Sequence, residues 1–109
     1  MADYMIQLSY TPAAWAAMIK RPQNRMEAVR KSVEKLGGNI TGFWMSFGEH
    51  DIIGILEMPD NVSAAAFAMA IAAGGACHGV KTTPLIGIEE GMVAMKKAGT
   101  SGYKPATAK

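Results

Sequence analysis

The chain has 109 residues, which suits one domain with its own core. Half of its residues are hydrophobic and 18% are charged, a balance that excludes an intrinsically disordered chain. The formal net charge is +2, and Lys96, Lys97, Lys104 and Lys109 all fall in the last stretch; the rest is close to neutral and lacks the clustered basic face that nucleic acid requires.

The opening Met-Ala-Asp-Tyr-Met has no basic stretch leading into an apolar run, so no signal peptide is expected. Residues 4–10 alternate, with Tyr4, Ile6, Leu8 and Tyr10 on one side and Met5, Gln7 and Ser9 on the other, which predicts a strand with one strongly apolar face. Thr11-Pro12 supplies an N-cap and a first helical residue for a short helix over 13–19, which Pro22 ends. Residues 25–36 form a second helix on the stripe Met26, Val29, Val33 and Leu36, stopped by Gly37-Gly38.

Residues 39–47 read as a strand, with Thr41, Phe43, Met45 and Phe47 on one face and Ile40, Gly42, Trp44 and Ser46 on the other. A tight turn at Gly48-Glu49-His50 returns the chain along a strand over 51–58, making a hairpin. Pro59-Asp60-Asn61 stops it and caps an alanine-rich helix over 62–73, closed by Gly74-Gly75. The most apolar run, 64–73, is too short for a bilayer span, which takes about 20 residues. Cys77 is the single cysteine, so no disulfide closes within the chain, and a reducing cytoplasm is the expected setting. A last strand over 80–85 carries Pro84 and should lie at a sheet edge. A final helical turn or two over 89–97 completes the domain, and 98–109 is expected to be a disordered tail.

The order strand, helix, strand, strand, helix, strand is the βαββαβ pattern of ferredoxin-like α+β folds, a four-stranded antiparallel sheet with its helices on one face. The other face should be polar in a monomer. Here 51–58 is apolar on both sides, and Trp44 adds to the patch. Self-association, as a homodimer or an assembly of dimers, is therefore expected, against a monomer with an exposed groove for an apolar ligand.

At the hairpin the chain resembles the GYD domain family. The resemblance rests on Leu36-Gly37-Gly38, Gly42-Phe43, Gly48-Glu49-His50-Asp51-Ile52-Ile53 and Glu57-Met58-Pro59-Asp60, with Tyr10-Thr11 and Arg25-Met26-Glu27-Ala28 before them. It runs over about 4–88, and His50 stands where the family's signature has tyrosine. The resemblance implies the dimeric α+β barrel superfamily. It implies no one activity, because superfamily relatives include cofactor-free monooxygenases, isomerases, haem enzymes and ligand-sensing modules.

His50 and Asp51 are the sharpest candidates for chemistry, a histidine beside a carboxylate at a turn. Neighbours in an extended chain point apart, however, and Asp51 would equally serve the turn's own N–H groups. Tyr10, Trp44, Gln7 and Glu57 are candidate ligand-binding residues, the two aromatics for a half-wet pocket between sheets and Glu57 with Gln7 or Ser9 as partner. For Tyr10 and Trp44, interface packing is the plainer role. Cys77-His78 is too few ligands for zinc, and neither glycine pair is a phosphate loop, so no metal and no cofactor are expected. The reading is a GYD-type oligomeric module that binds a small, largely apolar molecule beside the sheet. The alternatives are a cofactor-independent monooxygenase or isomerase using His50 and Asp51, and a structural oligomer without ligand.

Overall fold

The computed structural model describes residues 1–107; residues 108 and 109, the end of the tail expected to be disordered, lie outside the described residues. Eight elements follow one another: β1 (Ala2–Tyr10), α1 (Pro12–Lys20), α2 (Arg25–Lys35), β2 (Asn39–Met45), β3 (Ile52–Met58), α3 (Asn61–Gly74), β4 (Cys77–Leu85) and α4 (Ile88–Gly99). The four strands form one sheet in the order β2-β3-β1-β4 with every neighbouring pair antiparallel. The fold is ferredoxin-like, and Pro84 does sit on an edge strand.

The alternation of β1 builds the core. Tyr4, Ile6, Leu8 and Tyr10 are buried beneath the helices with Ile52, Leu56 and Met58 of β3, Val33 of α2, and Ala64 and Phe67 of α3. The glycine pair after α2 places β2 against this core. Gly37 takes φ 86°, its N–H donates to the Glu34 carbonyl and that of Gly38 to the Val33 carbonyl, the paired bonds of a left-handed helix stop. Gly38 then passes so close to the Glu57 carbonyl and the Met58 thioether that no side chain fits there.

Strict alternation fails in β2. The register slips between Ile40 and Gly42, a bulge at Thr41. Ile40 therefore pairs with buried Leu56 and joins the core beside Phe43, not the face of Gly42 and Trp44. The strand also ends at Met45, two residues early. Ser46 N–H donates to the Asp51 carbonyl at 2.8 Å, and Phe47 lies fully exposed in a longer connection than the tight turn that the sequence predicts.

The last two elements are longer than their patterns predict. β4 begins at Cys77, so Cys77 and His78 belong to a strand and not to a loop. α4 covers twelve residues and takes in Ala98 and Gly99. None of its residues is buried, and the described chain is elongated, 60 × 32 × 22 Å. No helix among the described residues is long and apolar enough to cross a membrane.

Candidate functional site

A cavity of about 620 Å³ opens under the helices at the end of the sheet where β1 leads into α1. Its walls come from both helices and three strands, chiefly Tyr10, Trp15, Met18, Met26, Phe43 and Ile52. The local sequence explains the opening. Thr11 caps α1, its hydroxyl accepting the Ala14 N–H at 3.1 Å, and Pro12 starts the helix. The segment 21–24 then breaks the chain, and Asn24 caps α2 by accepting the Met26 N–H at 3.1 Å. The break between the two short helices falls at the cavity, and Pro22, Gln23, Asn24 and Arg25 line it. Tyr10 and Trp15, both in its wall, meet edge to face, 5.4 Å between ring centroids.

Polar groups gather at one side of the cavity. Arg25 lines it and donates from Nη1 to Gln23 Oε1 at 2.8 Å. Burial raises the pKa of the Tyr10 phenol, so its hydroxyl holds its proton more firmly, while the Arg25 guanidinium beside it pulls the other way. Cys77 pairs with Tyr10 across β1 and β4; burial pushes its thiol up, the Arg25 charge opposes this and the Asp51 charge adds to it.

The predicted site residues divide among three places. Tyr10 and Trp44 line the same cavity, Tyr10 from the helix-covered side and Trp44, opposite Ile53 on the uncovered face, from the β2 edge of the sheet, while the sequence expectation was a space between sheets. The Trp44 ring lies across Gly42. Gln7 and Glu57 stand on the uncovered face and away from the cavity. Gln7 sits opposite Ile53 and Lys81, and Glu57 opposite Asp3 and Asn39. Four strand residues, roughly 13 Å, separate Gln7 from the residue facing Glu57, so Gln7 is not its partner.

His50 and Asp51 part company, as their alternation implies. The Asp51 carboxylate accepts the Tyr10 N–H at 2.8 Å while the Asp51 N–H donates to the Leu8 carbonyl at 2.8 Å, so this residue prolongs the β1–β3 ladder. His50 instead places Nδ1 3.3 Å from the hydroxyl of buried Ser9, which also donates to the Glu49 carbonyl at 3.3 Å. Among the described residues, no three His, Cys, Asp or Glu side chains gather as a metal site would need. The residues that the sequence reading misses are Arg25, Trp15 and Met18. The signal available for them was the break at Pro22 between two helices, with Arg25 opening the second.

The GYD domain model matches residues 4–95, most of the chain, and the chain belongs to the GYD domain family. A search of curated proteins finds no match.

Proposed function

We propose that this GYD-domain chain is an oligomeric binding module that holds a small, largely apolar molecule in the cavity between α1, α2 and the sheet. The observation that carries the reading is the cavity itself. Its volume of about 620 Å³ falls within the range of roughly 300–1,000 Å³ typical of ligand sites, and aromatic and thioether side chains dominate its walls.

Two further observations support self-association. The sheet face away from the helices carries Met5, Ile53, Ile55 and Leu85 by register, and Trp44 on it is 57% exposed. α4 presents Ile88, Met92 and Met95 one above another at helical spacing, all exposed. A lone helix of this length is marginal in water without a surface to pack on, and a second copy supplies one.

The test of binding is a titration with the neutral fluorescent probe N-phenyl-1-naphthylamine. The wild-type chain is expected to give a saturable rise in emission, and Met18→Trp, which fills the cavity, to lose it while keeping the wild-type circular dichroism. Trp15→Ala, which widens the cavity, should still bind. No saturable signal from the wild type would overturn the reading.

A further inference from the structure

The cavity's lining also specifies the polar end of its ligand. Of the residues that line it, one alone carries a full charge, and that is Arg25. No carboxylate is among them. The ion pairs among the described residues join Arg30 to Glu27 and His50 to Glu49, and neither involves Arg25. A guanidinium has five N–H donors in a planar fork, and one hydrogen bond, to Gln23, is made here. The Asp51 carboxylate accepts the Tyr10 N–H, is not among the lining residues and forms no ion pair with Arg25.

A cation with unused donors beside an apolar chamber costs desolvation if the chamber is filled by an uncharged body. The same cation is matched by an anionic group, above all by a carboxylate, whose two oxygens fit the guanidinium fork. The Tyr10 hydroxyl stands beside Arg25 and offers a second donor to such a group.

We propose that the cavity takes an amphipathic organic anion, its carboxylate on the Arg25 guanidinium and the Tyr10 hydroxyl and its apolar body among Trp15, Met18 and Phe43. This rests on the binding reading above and narrows its ligand class. A neutral apolar compound of equal length loses the charge-assisted hydrogen bonds, and a dianion or a sugar phosphate brings more charge than one guanidinium meets in a chamber of this composition.

The experiment compares decanoate with decan-1-ol, which share a ten-carbon body, by isothermal titration calorimetry on the full chain at neutral pH. The wild type is expected to bind decanoate roughly tenfold or more tightly than decanol, in line with the strength of charge-assisted over neutral hydrogen bonds. Arg25→Met is expected to abolish that preference while still binding decanol, which also shows that it folds. Arg25→Lys should restore part of it as a point charge without the fork. Equal affinities in the wild type, or a preference that survives Arg25→Met, overturn the anion proposal and leave the apolar-ligand reading standing. Binding of neither compound overturns both.

Discussion

Single residues here act through the groups they leave paired or unpaired. Cys77 illustrates it. Burial holds its thiol above the ordinary range, so as pH rises the unfolded chain ionises first while the folded chain keeps its proton. The folded state then binds more protons than the unfolded one, and stability should fall as pH climbs from the ordinary thiol range through the raised value. Melting temperatures of the wild type across alkaline pH should show this decline, and Cys77→Ala should flatten its first part; an identical decline in the variant would place the effect elsewhere, with the Tyr10 phenol, also raised, as the remaining source. At this scale the sequence was legible wherever chemistry is local. The caps Thr11 and Asp60 are visible as hydroxyl and carboxylate before helical patterns, and the parting of His50 from Asp51 follows from alternation. Ser9 as the partner of His50 was not legible, because that contact depends on the register of β1 against a connection some forty residues away. Arg25 was hidden for a similar reason, since nothing within one helix tells that a neighbouring helix will leave space at its start.

Elements obey their patterns until they touch. The apolar stripe of α2, the hairpin and the strand β3 were legible from periodicity alone. The bulge at Thr41 was not, since an extra residue in one strand is visible only against the partner's register, and its effect is to turn Ile40 from the open face into the core. α4 was underestimated because its stripe has no core of this chain to face. A tight junction lies between α2 and β2, where Gly38 abuts the backbone at the end of β3. Gly38→Ala drives a methyl into a backbone carbonyl, which cannot move aside as a side-chain tip could. Overpacking of this kind is expected to cost about 1–3 kcal/mol, checked by urea unfolding. A cost near zero would mean that β2 can shift outward without loss.

The whole molecule is less compact than its size requires. The radius of gyration is 17.5 Å, against about 13 Å for a compact chain of this length, and no residue of α4 or of the described segment 100–107 after it is buried. Sedimentation velocity of the full chain is expected to give a dimer or a multiple of one. Ile55→Glu places a charge in the middle of the uncovered face and should shift the population to monomer while the far-ultraviolet spectrum is retained. A wild type that sediments as a monomer at tens of micromolar would mean that the uncovered face and α4 stay in water.

The two sides of the cavity differ in another respect. β1 beneath it is held on both edges, through Tyr10 to Asp51 on one side and through the Thr11 N–H to the Ala76 carbonyl at 2.9 Å on the other. α1 above it contains no buried residue and ends at an exposed, irregular segment. The chamber thus has a stiff floor and a soft roof, and its doorway opens at the free energy of one short helix and not that of the domain. Amides of α1 should exchange with deuterium through local opening, well before those of β1, and a bound guest should slow that exchange most in the roof.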